Sequence, residues 1–243
     1  MCLAMGNAIR FLKTKINEFD IDTPEQEAKD ALLESIDTFI NERITLAELV
    51  IARNAASMVG DGDVILTYGS HRLVQKTLLQ ARREGKRFEV AIVDDPFDQT
   101  GQDLAKVLRR EGVRVFYSPN LGGLRLQVRR STKVFLGAEA MFANGSLYGP
   151  AGTCDVAMAA ADASIPVIAL CETISFDRDR VPTDSLTYNE IDPERCSADN
   201  FRLLFDTTRS KYLEVVVTEY ESETGNAPAQ AILAILRKQE DQV

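Results

Sequence analysis

Side chains that bind metal ions are scarce in this 243-residue chain, which contains four cysteines and one histidine. Cys2, Cys154, Cys171 and Cys196 form no C-x-x-C pair, and no histidine stands at metal-ligand spacing from any of them. A structural zinc site needs such closely spaced ligands, so this pattern excludes one. Cysteines scattered without a pattern are also typical of a protein from a reducing compartment.

Long apolar runs are absent as well. No segment approaches the length that spans a bilayer, and no signal peptide is recognisable, so we expect a soluble cytoplasmic protein with no membrane partner. Neither a G-x-G-x-x-G pattern nor a P-loop lysine occurs, which argues against dinucleotide binding. No cofactor is predicted.

Positive charge is outnumbered, with 28 Lys and Arg against 37 Asp and Glu and a net charge of -9. Phosphate backbones are attracted by positive fields, so we expect no direct nucleic-acid partner. Two local basic clusters are present, Arg82-Arg83 with Lys86-Arg87 and Arg125 with Arg129-Arg130 and Lys133. We interpret both as solvated faces, with a protein-docking patch as the alternative.

Residues 1–58 show helical periodicity, with Ile9, Leu12, Ile16 and Phe19 at helical spacing. Residues 23–26 (TPEQ) predict a helix start with a capping box between Thr23 and Gln26. That helix is predicted to continue or restart as far as Met58. A helical unit of this size cannot bury its own apolar stripe, so it must pack on the rest of the chain or on a partner.

From Val64 onward the pattern changes to strands alternating with helices, which predicts an α/β fold with a mainly parallel sheet flanked by helices. The strands are predicted at 64–67, 88–93, 113–117, 133–136, 166–170 and 201–205. Residues 211–220 fit a strand or a helix, residues 172–198 are predicted to form a long excursion, and residues 227–238 a terminal helix.

The stretch from 133 to 171 organises the rest, because it contains strand, loop, helix and strand in succession. Glu139 follows the first of these strands, and Gly152-Thr153 opens the helix. Free N–H groups and the helix dipole at such a start can bind an anion, although ordinary helix entry explains the same residues. Asn144-Gly145 in the intervening loop is a turn signal.

Three other positions are candidates for chemistry. Asp94-Asp95 ends a strand, where sheets of this class place functional acids; a turn that also caps the next helix is an equal interpretation. His71 has no nucleophile beside it, which favours a structural role. Cys154 lies in a first helical turn, which can depress a thiol pKa, but we favour a small buried apolar residue.

Several motifs resemble one known family. They are residues 6–13 (GNAIRFLK), 62–69 (GDVILTYG), 136–138 (LGA), 143–146 (ANGS) and 152–153 (GT). The chain resembles, over nearly its whole length, the alpha, beta and delta regulatory subunits of eukaryotic translation initiation factor 2B. The same family includes the methylthioribose-1-phosphate and ribose-1,5-bisphosphate isomerases. Residues 171–173 (CET), 183–185 (TDS) and 189–190 (NE) are most similar to the delta branch.

The resemblance implies an N-terminal helical domain, residues 1–58, and a Rossmann-like C-terminal domain, residues 59–243. It also implies that a longer N-terminal extension, usual in the delta branch, is missing from the printed sequence. The pocket of the isomerases corresponds here to a set of six residues: Thr67, Gly69, Glu139, Asn144, Gly152 and Thr153.

Departures from the isomerase pattern occur at the residues that carry the reaction. Gly69 stands where the isomerases place a catalytic cysteine, and Glu139 stands in place of their aspartate. Gly149-Pro150 replaces the Asn-Lys pair that precedes Gly-Thr in their pocket loop. Glycine can neither donate nor accept a proton through a side chain, and the extra methylene of Glu139 misplaces its carboxylate. We therefore predict no catalytic residues and no enzyme activity.

The resemblance implies a non-catalytic regulatory and scaffold subunit of the guanine nucleotide exchange factor for initiation factor 2. The partners implied are the beta and alpha subunits, the gamma and epsilon catalytic subunits, and the alpha subunit of initiation factor 2. Arg10, Glu42 and Leu46 are candidates for contact with that alpha subunit, with core packing as the alternative for Leu46. A sugar-phosphate isomerase, with Tyr68, Ser70 or His71 as proton donor, or a sugar-phosphate or nucleotide sensor, remains the alternative function.

Overall fold

A computed structural model describes residues 3–20, 22–182, 184, 186–197, 201–220 and 226–228. Within these ranges the chain begins with helices α1 (Leu3–Asn17) and α2 (Glu25–Ile40). A π-helical segment (Asn41–Leu46) then joins α2 directly to α3 (Ala47–Ser57). The predicted continuation of the second helix to about Met58 is thus observed, because no proline or glycine interrupts residues 25–57.

The start of α2 differs from the prediction. Pro24, in an extended conformation, occupies the N-cap position and supplies no side-chain bond. Thr23 is thereby placed one residue outside the cap, and Gln26 donates to Asp30 Oδ1 at 3.0 Å instead of reaching back. The prediction of a capping box between Thr23 and Gln26 is therefore wrong.

The second part of the chain alternates strands and helices as the pattern predicted. The principal strands are β1 (Val64–Tyr68), β2 (Glu89–Val93), β3 (Arg114–Ser118), β4 (Lys133–Gly137), β5 (Ala140–Met141), β6 (Leu147–Pro150), β7 (Val167–Leu170), β8 (Phe205–Thr208), β9 (Val215–Val217) and β10 (Asn226–Ala227). The helices between them are α4 (Arg72–Arg83), α5 (Gly101–Arg110), α6 (Leu124–Arg130) and α7 (Thr153–Asp162).

Seven strands form one sheet in the order β10-β9-β7-β4-β1-β2-β3. Six of them run parallel, and β10 pairs antiparallel with β9 at one edge. The strands are almost continuously apolar because both faces are covered. Residues of α3, α4 and α5 pack on one face, around Ile51, Leu73 and Leu104, and residues of α6 and α7 cover the other. The predicted α/β fold class is confirmed.

A second, three-stranded antiparallel sheet, β5-β6-β8, lies beside the carboxyl ends of the main strands. The sequence pattern predicts a loop over β5 and β6 and a strand at 201–205. The strand instead runs from Phe205 to Thr208, because there it pairs with the whole of β6. Val215–Val217 is the strand of the ambiguous stretch 211–220. Of the predicted terminal helix, Ala227 lies in β10 and residues 229–238 lie outside the described ranges.

The N-terminal helices are tied to the sheet at two places. Asn7 Nδ2 in α1 donates to the carbonyls of Ile174 and Phe176 at 2.7 and 3.0 Å, just beyond β7. Glu48 in α3 is almost fully buried and forms ion pairs with Arg72 and Lys76 of α4. By contrast, neither α1 nor α2 has a buried residue. The apolar stripe of these helices is thus only partly covered by the chain itself.

Candidate functional site

The candidate site lies where the strand order reverses. The chain builds β1-β2-β3 in one direction and then returns to place β4 on the other side of β1. The loops after β1 and β4 therefore diverge and leave a crevice at the carboxyl edge, which is where open α/β sheets bind ligands. Gly69 and His71 follow β1, while Ala138 and Glu139 follow β4.

Gly69 occupies a position that a side chain would not tolerate easily. Its φ of +56° is in the left-handed region, and a Cβ there would lie 3.1 Å from Thr100 Oγ1 and 3.8 Å from Asp94 Oδ1. Restoring a cysteine at this position would therefore strain the backbone and crowd the next loop. The backbone conformation at Gly69 and its distance from Thr100 thus both disfavour a thiol side chain at this position.

His71 is the basic side chain that approaches Glu139. His71 Nε2 lies 4.0 Å from Glu139 Oε1, beyond hydrogen-bond range, and half of the Glu139 side chain is exposed. His71 caps α4 by accepting from the N–H of Leu73 at 3.3 Å through Nδ1. Burial lowers the pKa of His71, which keeps the imidazole neutral in this cap.

The imidazole of His71 fills the space over Gly137, where a Cβ would overlap Cγ and Nδ1 of the ring. The close approach of these two residues fixes the loop after β1 against the end of β4. His71 thus has the structural role that the sequence pattern favours, and it holds the loop after β1 against the end of β4, next to Glu139.

Tyr68 and Gly152 close the opposite wall. The Tyr68 hydroxyl donates to the carbonyl of Ala151 at 2.6 Å, and Gly152, with φ +107°, has no room for a Cβ beside the Tyr68 ring. Burial raises the pKa of Tyr68, and the nearby carboxylates of Asp95, Asp206 and Asp94 raise it further. The proton of Tyr68 is therefore held firmly, which makes this residue a poor acid for sugar-phosphate chemistry.

The start of α7 is occupied by a carboxylate of the chain itself. Asp206 Oδ2 accepts from the N–H of Gly152 at 2.7 Å and from the N–H of Cys154 at 2.9 Å. Burial raises the pKa of Asp206 to about 6, although the two backbone hydrogen bonds act in the opposite direction. The anion position that the sequence indicated at Gly152-Thr153 is thus filled, which leaves these two N–H groups without capacity for a phosphate.

The other predicted pocket residues have local structural partners. Thr153 Oγ1 donates to the carbonyl of Pro150 at 2.6 Å, and Asn144 Oδ1 accepts from the N–H of Ser146 at 3.0 Å in the predicted turn. Thr67 is buried at the end of β1, and its hydroxyl has no hydrogen-bond partner among the described residues. Asn144 lines a separate cavity of about 640 Å³ together with Cys154 and Asp206.

Asp95 forms a turn, and Asp94 is hydrogen-bonded to the neighbouring strand β3. Asp94 is fully buried and accepts from the Tyr117 hydroxyl at 2.8 Å. Asp95 accepts from the N–H groups of Phe97 and Asp98 through Oδ1. Thr100 is the N-cap of α5 but makes no side-chain capping bond, since its Oγ1 accepts from the N–H of Ser70 at 3.2 Å, so the predicted helix cap is wrong. These contacts account for the turn interpretation.

Cys154 is half-buried, and burial raises the pKa of its thiol, as do the carboxylates of Asp206 and Asp155. The depressed thiol pKa that a helix start can produce is not observed, because Asp206 places negative charge at the same helix end. Cys154 is therefore a poor nucleophile.

Arg202 was missed by the sequence analysis. It joins the long excursion to the edge of the crevice through ion pairs with Asp95 at 2.8 Å, Asp98 at 3.1 Å and Asp192 at 3.0 Å. Asn189 adds two bonds to the backbone of Phe205. No local sequence signal marks Arg202 or Asp206, because Asp206 binds residues 52 and 54 positions away and Arg202 reaches Asp98, 104 positions away.

The three candidate partner-contact residues lie on the N-terminal helices. Arg10 is in α1, and Glu42 and Leu46 are in the π-helical segment; all three are exposed, Leu46 by 51%. The core-packing alternative for Leu46 is therefore wrong. The charges of Arg43 and Arg10 add to burial in lowering the pKa of Arg178, so α1 and the π-helical segment border the same region.

Comparison with known proteins identifies the family to which this chain belongs. The model of the initiation factor 2 subunit family matches residues 1–221. The chain belongs to the initiation factor 2 subunit family. Within the family, it is 41% identical over 193 residues to translation initiation factor eIF2B subunit delta of Schizosaccharomyces pombe. The match covers 79% of this chain but only 41% of that relative.

Two further matches represent the branches of the initiation factor 2 subunit family. A chain of the tetrameric eIF2B-beta2-delta2 complex from C. thermophilum aligns with TM-score 0.88 and 66% identity, covering 90% of this chain and 70% of that chain. Ribose 1,5-bisphosphate isomerase of Methanocaldococcus jannaschii is 25% identical, over 97% of this chain and 75% of the relative. The identity to the delta subunit of Schizosaccharomyces pombe, 41%, is thus higher than that to this isomerase, 25%.

Two features are absent from the described residues. None of the helices there combines the length and apolar character that a membrane crossing requires. Nor do the described His, Cys, Asp and Glu side chains gather in threes around a point that could hold a metal ion.

Proposed function

We propose that this chain is a non-catalytic regulatory and scaffold subunit, of the delta type, of the guanine nucleotide exchange factor for initiation factor 2. The observation that carries the proposal is the 66% identity, at TM-score 0.88, to a chain of a beta2-delta2 complex. The crevice supports it, because Gly69 supplies no side chain and Asp206 fills the helix start where an anion would bind.

The proposed partners are the other subunits of the exchange factor, in the cytoplasm. A beta subunit pairs with this chain, an alpha homodimer completes the core, and the gamma and epsilon subunits carry the exchange reaction. Exposed apolar side chains on the N-terminal helices support an assembly role, since monomers rarely expose them in such number. They include Met5, Ile9, Ile16, Leu33, Ile40, Ile44, Leu46 and Leu49.

The proposed contact for the alpha subunit of initiation factor 2 is the surface formed by Arg10, Glu42 and Leu46. The division into domains 1–58 and 59–243 is part of this proposal, with the first domain as the docking element. The π-helical segment continues directly into α3, which is packed into the core on α4. Leu46 ends this segment with its side chain exposed, so it is available for a protein contact.

Reconstitution of the exchange factor with this chain tests the proposal. Leu46→Glu is expected to weaken binding of the phosphorylated alpha subunit about tenfold, because it puts a charge into an apolar contact. Binding is measured by titration, and inhibition of nucleotide exchange is measured in parallel. Leu126→Glu is the matched control, since Leu126 is also exposed, by 59%, but lies on α6.

Assembly, followed by size-exclusion chromatography, separates the two parts of the proposal. Failure of the wild-type chain to assemble with beta and alpha subunits would contradict the scaffold role. Normal assembly with equal binding by Leu46→Glu and wild type would contradict only the proposed contact surface.

The isomerase alternative has one observation in its favour, the neutral His71 at 4.0 Å from Glu139. We expect no turnover of methylthioribose-1-phosphate or ribose-1,5-bisphosphate in a coupled assay, because no side chain at position 69 can complete the proton relay. Turnover by the wild type that disappears in Glu139→Gln would establish the alternative. Binding without turnover, detected by calorimetry, would instead indicate a sensor.

A further inference from the structure

A basic cleft lies at the amino ends of β1, β2 and β3, on the edge of the sheet opposite to the candidate site. The cavity is about 870 Å³. Its charged lining consists of Asp61, Arg82, Lys86, Arg87, Glu89 and Arg114. Four cations and two carboxylates therefore converge on one open cleft, giving a local charge opposite in sign to the net charge of -9 of the chain.

Part of this positive charge has a structural role. Arg82 Nε donates to the carbonyl of Glu111 at 3.0 Å, beyond the end of α5. Lys86 Nζ donates to the carbonyl of Ala56 at 2.6 Å, at the end of α3. Such contacts satisfy free carbonyls and offset the helix dipole, so Arg82 and Lys86 need no ligand to explain them.

Arg87 and Arg114 are different. The Arg87 side chain is exposed and makes neither a hydrogen bond nor an ion pair within the described part of the chain. Arg114 is also exposed and bonds Glu89 at 3.1 Å through one nitrogen only, which leaves most of its donors available. Two guanidinium groups on adjacent strand starts are thus available for a carboxylate.

The edge of the sheet beside the cleft is open to an extended segment. Strand β3 pairs with β2 alone, so its other side is an unpaired edge among the described residues. Polypeptides can add to such edges through main-chain hydrogen bonds. The Phe116 ring on the same strand is covered by the guanidinium groups of Arg114 and Arg130, at 5.0 and 4.1 Å. The cleft and the edge therefore form one continuous basic surface.

We propose that this cleft binds an acidic, extended segment of a partner polypeptide, with Arg87 and Arg114 contacting its carboxylates. A polypeptide fits better than a nucleic acid, because Asp61 and Glu89 alternate with the cations and would repel a continuous phosphate backbone. A carboxylate-bearing segment can instead space its charges between them. The docking-patch interpretation of the Arg82–Arg87 cluster is thereby extended to Arg114, and its ligand is specified.

A fluorescently labelled oligoglutamate peptide, titrated against the purified chain, tests the proposal. We expect saturable binding that weakens with salt, and about tenfold weaker binding by the Arg87→Gln, Arg114→Gln double variant. The control is Arg125→Gln, Arg129→Gln, which removes the same charge from exposed positions on α6. Thermal unfolding verifies that both variants remain folded.

Each other outcome would overturn the proposal. Equal weakening in both double variants would show general electrostatic attraction, and an absence of binding at low salt would show that the cleft has no affinity for acidic peptides. Cleft-dependent binding of a single-stranded RNA homopolymer tighter than that of the peptide would assign the cleft to nucleic acid. None of these results depends on whether the chain assembles into the exchange factor.

Discussion

Gly137→Ala is expected to lower the free energy of unfolding by about 3 kcal/mol, the upper range for forcing an extra methyl group into a packed core. The new Cβ would overlap the ring of His71 and lie 2.5 Å from the His71 Cβ. His71 is fixed by its cap bond to Leu73 and cannot move away without releasing the start of α4. Urea unfolding monitored by circular dichroism measures the loss.

A double-mutant cycle with His71→Gly isolates the cause, because glycine removes both the ring and the Cβ that a side chain at position 137 would strike. His71→Gly alone is expected to cost about 1 kcal/mol, because it removes the side-chain acceptor at the start of α4. In that background Gly137→Ala should cost far less than in the wild type, since the atoms it would strike are gone. An equal cost of Gly137→Ala in both backgrounds would show that the imidazole does not pack on Gly137 in solution.

Much of the fold could be predicted because its signals are local. Strands flanked by helices repeat from Val64 to Leu170, and Gly85 and Gly112 end α4 and α5 in the left-handed conformation that favours glycine. The small sheet β5-β6-β8 escaped prediction, because the two residues of β5 are too few to show a period and β8 begins 55 residues after the end of β6.

The candidate site was predicted only where motif positions define it. Gly69 and Glu139 were found because they replace expected residues in recognisable motifs, and both lie in the crevice at the strand-order reversal. Asp206 and Arg202 could not be found in this way. Their partners, Gly152 and Asp98, are 54 and 104 residues distant, and a lone carboxylate or guanidinium has no pattern in sequence.

The folding stability of the chain is expected to depend on pH through Asp206. Its pKa of about 6 in the folded chain is higher than its ordinary value of 3.8, because burial disfavours the carboxylate more than the N–H groups of Gly152 and Cys154 favour it. A group with a raised folded-state pKa contributes stability that is fully present below its unfolded pKa. That contribution is lost as the pH rises through the folded pKa. The loss is on the order of 2–3 kcal/mol between about pH 4 and pH 7.

Asp206→Asn removes this titration while keeping an oxygen that can accept from the start of α7. The difference in unfolding free energy, wild type minus Asp206→Asn, is therefore expected to fall by about 2 kcal/mol from pH 4 to pH 7. Denaturant unfolding at a series of pH values measures it. Asp162→Asn removes the same charge from an exposed position at the other end of α7 and controls for general electrostatic effects. A difference that stays constant, or rises with pH, would show that Asp206 is not buried on the α7 start. The N–H groups at the start of α7 would then be free to bind a phosphate, which would support the alternative function as a sugar-phosphate or nucleotide sensor.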